Sequence, residues 1–533
     1  MAFQYIKKSN NLYVSKNALK NRDLSILEFQ MRILDIARLP QTPLLEKAKF
    51  LKIIDSNLQE FISIRLPDAD DSVKESLIHT IEVIYRKLGD DLISIKRKLP
   101  RAVPLCVKRN HLIPLTNFEY IYSGEDSVHT IQEMIDVIQI KKKIRVYSML
   151  YNGSLENQPI ENGIIIDSSI QVPHVLFQVD DIITILKEMS VSDSSLAYQQ
   201  CLSQIRKMNY YEHLKKEDLF IRTPYESYET ILDFIHQMCI HPKIQKIFIT
   251  LYRTAEDSKI IESLILARKS GKEVYVYLEP TARGNEEDNI KKFILLKNYG
   301  IHVCCTYFNY KVHGKIFCAI DNQMTIYSHV GTGNYNEKTA EQYTDFHLLT
   351  TNPRITYGLI NIVTSIFRQI PMSPAILQAS SIYTSPIDFR RKINSLILEE
   401  MEKGKDGRIW IKCNSLCDCA IIDKLYQAAD HGVDVRIICR TGCSIRPHPG
   451  IIVKSKVGRY LEHDRFYIFG NQCFISSADL LLRNINKRVE ILCQLQTDEE
   501  KRRVMIEFDR LWIDEYIHVM SLDGSWHLQK NGL

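Results

Sequence analysis

A repeated spacing constrains the fold of this 533-residue chain more than any other feature. The pairs Ile260-Ile261 and Ile421-Ile422 stand at the same distance before Gly271 and Gly432, and each glycine stands three residues before a strand valine, Val274 or Val435. A strand, Gln245 to Tyr252, leads into the first copy, and another, Arg408 to Cys413, leads into the second. The glycines suit helix C-termini, where a left-handed residue closes the last turn. The runs Val274-Tyr275-Val276-Tyr277-Leu278 and Val435-Arg436-Ile437-Ile438-Cys439 suit the returning strands. Three features in matching register predict a duplicated βαβ lobe rather than chance likeness of short apolar segments.

Late in each copy comes a histidine with a cation two residues on. The first reads Lys311-Val312-His313-Gly314-Lys315 and is followed by His329-Val330-Gly331-Thr332-Gly333-Asn334-Tyr335-Asn336; the second reads Glu462-His463-Asp464-Arg465 and is followed by Ser476-Ser477-Ala478-Asp479. On an alternating strand the histidine and the cation share a face. That pairing suits phosphate chemistry, because imidazole can attack phosphorus while the cation holds the oxygens. A single strand histidine is ordinarily structural, but Lys315 and the turn at Gly331 to Asn334 argue for a nucleophile at His313. Glu462 and Asp464 read as a solvated charged turn without a chemical role.

Composition fits a soluble enzyme. The chain is 45% hydrophobic and 25% charged, and its net charge of +5 leaves any groove for an anion to be local. No stretch reaches the length of a membrane span, and Met1-Ala2-Phe3-Gln4-Tyr5-Ile6-Lys7-Lys8 has no signal-peptide core. A cytoplasmic protein with reduced thiols is therefore expected, with peripheral membrane association left open. Of the 13 cysteines, Cys413, Cys417, Cys419, Cys439 and Cys443 gather in one region, but without repeated C-x-x-C spacing. Buried thiols are the better reading there than a zinc site.

The first hundred residues have helical periodicity. Asp23 is the expected cap of a helix burying Ile26, Leu27, Met31 and Leu34, and a second helix follows Pro43 with Leu44, Leu45, Phe50, Leu51 and Ile54 on its apolar face. From Val103 to Met208 the texture turns to short mixed segments, among them Arg145 to Leu150 and Gly163 to Ile166. Pro and Ser gather between Ser373 and Pro386, the expected join of the two lobes. The domains expected are a helical one over 1–102, a small α/β or α+β one over 103–208, and the two repeated lobes over 209–375 and 376–533.

Several segments, in order along the chain, carry a family likeness: Asn21 to Phe29; Pro43 to Glu46 and Asp55 to Phe61; Leu251-Tyr252-Arg253-Thr254; Ala282-Arg283; Gly331 to Ala340; Tyr343-Thr344-Asp345; and Arg459 to Arg465. Together they resemble the histidine-phosphorylating polyphosphate kinases. The resemblance implies a multidomain α/β protein: a helical N-terminal domain, a head domain, and two phospholipase-D-like C-terminal lobes with the active site between them. It implies reversible transfer of the terminal phosphate of ATP to inorganic polyphosphate through a phosphohistidine, with Mg2+ as cofactor. ATP, ADP and polyphosphate are the expected partners, in a homo-oligomer; nucleic acid is not among them.

By the same resemblance His313 is the phosphorylated residue and His463 the second histidine, acting at the ATP phosphates as acid or electrostatic aid. A neutral imidazole is a competent nucleophile near its ordinary pKa of about 6.5. Asn57 matches an adenine contact, with helix capping as its structural alternative. Tyr343 matches a residue whose ring meets the base, and Arg440 an ATP-binding arginine. Arg253 and Arg283 match positions at the magnesium–phosphate centre. Guanidinium has no lone pair for a cation, so both are expected to grip phosphate oxygens beside the metal, with Lys315 and Lys338 adding to a basic lining.

The chain departs from the family pattern at Gly284-Asn285, where Phe-Asp is usual, and at Gly314, where alanine is usual. It is also short for the family, with the head region the expected place of the loss. A phospholipase-D-like phosphodiesterase is the alternative, but such enzymes generally carry a lysine after each histidine, and the second copy here has Arg465. A non-enzymatic polyphosphate-binding scaffold would have no need of His313.

Overall fold

The helical periodicity of the first hundred residues is realised as three helices, Arg22–Arg38, Leu44–Ile64 and Asp71–Lys96, in a computed structural model. The structure describes residues 5–8, 11–14, 19–96, 112–114, 119–122, 127–130, 149–152, 174–178, residues 182, 183, 186, 187 and 190, and then 207–255, 257–280, 286–374 and 380–529. The first helix is capped by Asn21, not Asp23: Asn21 Oδ1 accepts from the amides of Asp23 at 2.9 Å and Leu24 at 3.1 Å. Asp23 lies inside the first turn, where its charge complements the helix dipole and meets Arg65 at 3.2 Å. Pro43 precedes the second helix as expected. Leu27, Leu34, Leu45, Leu51, Ile54 and Leu58 are buried between the helices.

Between 103 and 208 the described backbone contains short strands. Leu112–Pro114, Glu119–Tyr122 and Ser127–Thr130 form one antiparallel sheet, and Met149–Asn152 pairs with His174–Gln178. The segment 163–166 lies outside the described residues. Contacts group the chain into two compact units, Lys20–Gln200 and, separately, Met1–Leu19 with Cys201–Leu533.

The second unit contains the duplicated lobe. In the first copy, Ile244–Leu251 and Glu273–Leu278 are parallel neighbours, joined by helix Lys259–Lys269. In the second, Arg408–Cys413 and Asp434–Cys439 are parallel neighbours, joined by helix Cys419–Asp430. Both isoleucine pairs are buried against their sheets, each worth about 1.5–3 kcal/mol per side chain. Gly271 and Gly432 follow the helix caps with φ of 88° and 87°, the conformation that favours glycine at these ends.

The strand order confirms the duplication. The first sheet runs His302–Cys304, Glu273–Leu278, Ile244–Leu251, Lys315–Asp321, Ile326–Gly331, Tyr343–Thr350. The second runs Ile451–Lys456, Asp434–Cys439, Arg408–Cys413, Arg465–Phe469, Gln472–Ser476, Arg488–Gln494. Each last strand also pairs antiparallel with an upstream strand, Leu219–Thr223 or Ile382–Ser385. Part of the expected join between lobes is thus a strand of the second sheet; its apolar Ile382 is fully buried, and alternation rather than the Pro and Ser content decides its fate.

Each sheet ends on a strand borrowed from the other lobe. Lys311–Val312 pairs in parallel with Arg488–Gln494, and Leu461–Glu462 pairs in parallel with Tyr343–Thr350. Both borrowed strands immediately precede a histidine. The exchange also explains Gly314: a Cβ there would lie 2.7 Å from Ile491 Cγ1 of the second lobe. Gly314→Ala should therefore destabilise the protein by about 1–3 kcal/mol, as overpacking does. Denaturant melts of the purified variant check this, and an unchanged midpoint would show that the exchanged strand has room to spare.

Candidate active site

The exchanged strands deliver each histidine to a carboxylate of the opposite lobe. The amides of His313 and Gly314 both donate to Val489 O at 2.9 Å, and His313 Nδ1 then meets Glu490 Oε2 at 2.8 Å. Likewise, His463 Nδ1 meets Asp345 Oδ1 at 2.9 Å. Asp345 and Glu490 occupy corresponding places near the starts of their strands. A hydroxyl from the matching turn braces each: Thr332 Oγ1 donates to Asp345 Oδ1 at 2.6 Å, and Ser477 Oγ to Glu490 Oε2 at 2.6 Å. A carboxylate on Nδ1 fixes the imidazole so that Nε2 is the ring nitrogen turned to the reaction.

The cation of each motif lies against its histidine as expected, but not on one alternating strand: His313 and His463 fall in the break between Lys311–Val312 and Lys315–Asp321 and between Leu461–Glu462 and Arg465–Phe469. Lys315 Nζ is 3.0 Å from both ring nitrogens of His313, and Arg465 Nη1 is 3.1 Å from His463 Nε2. Arg465 also donates to His463 O at 2.8 Å and pairs with Asp479 at 3.3 Å. The Tyr343 ring lies 5.1 Å from the His463 ring. Tyr252 sets its ring at 84° to that of His313, with centroids 4.9 Å apart, and the Arg253 guanidinium lies 5.9 Å from the Tyr252 ring. Arg440, half-buried at the end of Asp434–Cys439, is within electrostatic reach of Arg465, Asp479 and Tyr343.

The structure thus brings together His313, His463, Tyr343 and Arg440, with Arg253 beside Tyr252. Asn57 lies in the middle of helix Leu44–Ile64 in the other compact unit, where its Nδ2 donates to Gln30 Oε1 at 3.0 Å; it caps no helix. Arg283 lies outside the described residues. Lys338 is exposed on the one-turn helix Glu337–Ala340. Glu462 and Asp464 are not a solvated turn: they are 5% and 0% exposed, held by Lys412 and by Thr344 of the first lobe. Sequence reasoning missed Asp345, Glu490, Tyr252 and Arg488. The available signal was an acid set among apolar strand residues, as in Val489-Glu490-Ile491-Leu492, where an unpaired carboxylate would be costly.

Comparison with known proteins agrees with the geometry. Models of the polyphosphate kinase N-terminal domain, C-terminal domain 1 and C-terminal domain 2 match residues 19–103, 209–371 and 382–532 in turn. The chain is 28% identical to a polyphosphate kinase of Staphylococcus haemolyticus over 660 residues, 96% of this chain and 91% of that one. The chain belongs to the polyphosphate kinase family. It is also 36% identical to the polyphosphate kinase of Escherichia coli (strain K12) over 321 residues, covering 57% of this chain and 46% of that one. The crystal structure of a Porphyromonas gingivalis polyphosphate kinase shares the fold, with a TM-score of 0.74 over 96% of each chain at 21% identity.

The polyphosphate kinase lobes hold their histidines neutral. Burial pushes His313 well below the ordinary range, and the charges of Lys315, Arg488, Arg465 and His463 act in the same direction. Burial lowers His463 to about 4, although Asp345 opposes it. Asp345 itself would be raised by burial, but His463 holds it at about 2. Lys315 is lowered to about 7, chiefly by burial, and Glu490 is raised by the same cause despite Arg488 and Lys315. A neutral imidazole with a cation beside it is a geometry that can attack an anionic substrate. His463, accepting from Arg465 and donating to Asp345, gains a proton more readily once phosphate charge arrives.

The implied magnesium finds no protein cage here. Among the described residues no group of three or more His, Cys, Asp or Glu is placed to hold a metal, and Arg253 has no lone pair to give. Of the cysteines expected to be buried, Cys413, Cys439 and Cys443 are, while Cys419 is exposed.

A pH dependence of stability follows from the neutral histidines. His329 Nε2 meets His347 Nδ1 at 3.0 Å inside the first lobe, and burial lowers His347 to about 4. An unfolded imidazole protonates near 6.5, so between about pH 6.5 and 4 the unfolded chain binds more protons. Stability is full above that window and falls as pH drops through it, by up to about 1.4 kcal/mol per pH unit for each such histidine. Asp345 adds a further loss in the same direction below about pH 4, as pH approaches its own low value. Urea melts between pH 7.5 and 5 should show this slope, shallower in His347→Gln. A flat profile would contradict neutral buried histidines.

Proposed function

We propose that this polyphosphate kinase family member moves the terminal phosphate of ATP reversibly onto inorganic polyphosphate through a phosphohistidine at His313. The observation that carries the reading is the Glu490 carboxylate on His313 Nδ1, which leaves Nε2 as the attacking atom. Nε2 attacks the terminal phosphorus while the bond to the ADP oxygen breaks, and ADP leaves. A terminal oxygen of polyphosphate then attacks the same phosphorus, the N–P bond breaks, and His313 returns neutral. A phosphoramidate retains high transfer potential, so both directions are open.

Lys315, Arg253 and Arg283 grip the phosphate oxygens, with guanidinium forks giving the firmer hold. Arg465 adds charge beside His463, which protonates or hydrogen-bonds the leaving oxygen. Asn57, Tyr343 and Arg440 contact the nucleotide. Magnesium would be held mainly by the nucleotide's phosphate oxygens and water, which suits its reluctance to dehydrate, with Arg253 and Arg283 on the phosphate oxygens beside it, and would neutralise phosphate charge. We read the chain as four domains, 1–102, 103–208, 209–375 and 376–533, working as a homo-oligomer in the cytoplasm. No helix among the described residues is long and apolar enough to cross a membrane.

Incubation with terminally labelled ATP and magnesium should yield an acid-labile, base-stable protein label. His313→Ala should abolish both label and polyphosphate synthesis; near-normal turnover would sink the mechanism. His463→Ala should lower turnover by roughly two to four orders of magnitude, the usual range of acid–base help, and a variant equal to wild type would remove the second lobe from the chemistry. At Arg283, lysine should remain poor, because an ammonium cannot reproduce the bidentate grip. Synthesis assays of Arg283→Lys and Arg283→Ala at several magnesium concentrations decide this, and near-normal rates for both would take Arg283 out of the site.

A further inference from the structure

Lys412, 1% exposed on strand Arg408–Cys413, has no part in the reading above, yet it touches the residues on both sides of His463. His463, just past the borrowed strand, faces Asp345 and Arg465, whereas Glu462 and Asp464 on either side of it face Lys412. Lys412 Nζ lies 3.0 Å from Glu462 Oε2 and 3.2 Å from Asp464 O, and it pairs directly with the Asp464 carboxylate. Thr344 Oγ1 of the first lobe is 2.8 Å from Asp464 Oδ1 and accepts from His463 N at 3.1 Å. Charge is balanced behind this clamp. Arg222 lies 3.7 Å from Asp464 Oδ2 and 2.6 Å from Glu507 Oε1, and Glu507 also meets Arg510 at 2.7 Å.

The duplication supplies an internal control. Ile249 pairs with Phe317 and Ile411 with Tyr467, so Thr250 occupies the place of Lys412 in the first lobe. There a neutral hydroxyl suffices: Thr250 Oγ1 donates to Gly314 O at 2.6 Å, and the flanks of His313 are Val312 and Gly314. Burying an ammonium with two carboxylates carries a desolvation cost that the first lobe avoids in making the same turn.

We infer that Lys412 is a positioning residue for His463, clamping Glu462 and Asp464 so that the imidazole is held against Asp345 and Arg465. The inference rests on the reading that His463 assists phosphate transfer, and a double-mutant cycle separates the two. Turnover in ATP-dependent polyphosphate synthesis is measured for Lys412→Met, His463→Ala and the double variant, with folding checked by circular dichroism. Lys412→Met should lower kcat by about 10- to 100-fold, the scale of a displaced catalytic group. In the His463→Ala background it should cost nothing more. Multiplying losses in the double variant would assign Lys412 a structural role and overturn the inference. Normal turnover of His463→Ala would instead overturn the reading beneath it.

Lys412→Met leaves two buried acids without their cation and can fail to fold. Lys412→Met with Asp464→Asn removes both partners, while Arg222 still acts on Glu462. This pair should keep the wild-type melting temperature and the loss of turnover, again absent on His463→Ala. Wild-type turnover in the folded pair would refute the clamp.

Discussion

The site depends on two hydrogen bonds that cross between lobes, His313 to Glu490 and His463 to Asp345. Neither lobe makes its own. A histidine from one sheet is completed by a carboxylate from the other, and the borrowed strand that carries the histidine also sets the register that places the acid. Placement of both histidines is therefore a property of strand pairing, which is stiff, and not of loops, which are not.

Symmetry of backbone does not make the halves chemically equal. His313 has a titratable lysine beside it and a glutamate pushed upward; His463 has a permanent guanidinium and an aspartate held low. In the mechanism proposed above, a cation that can gain or lose its proton suits the His313 side, where negative charge would arrive and depart. In the same proposal, a cation fixed in charge suits the His463 side, where the imidazole alone would handle a proton.

The parts of this arrangement that were legible in the sequence are the local ones. The isoleucine–glycine–valine spacing reports helix and strand ends a few residues apart, and the histidine–cation pairs report two groups that meet, although in a strand break rather than on one strand face. Glu490 and Asp345 lie 177 and 118 residues from the histidines they hold, and no periodicity connects such positions. Glu462 and Asp464 looked solvated because two acids around a histidine usually are; their burial depends on Lys412, which stands 52 positions before Asp464. The cap at Asn21 was missed by two residues because Asp23 also belongs in a first turn. The strand Ile382–Ser385 was hidden by neighbouring Pro and Ser.

The exchanged strands also bear on how such a molecule can be altered over time. Two copies that fold separately could each be lost, moved or fused elsewhere as a unit. After the exchange, a chain cut between the lobes leaves each half with an unpaired sheet edge, an exposed template for aggregation, and a histidine without its acid. The duplicated halves are then inherited together or not at all.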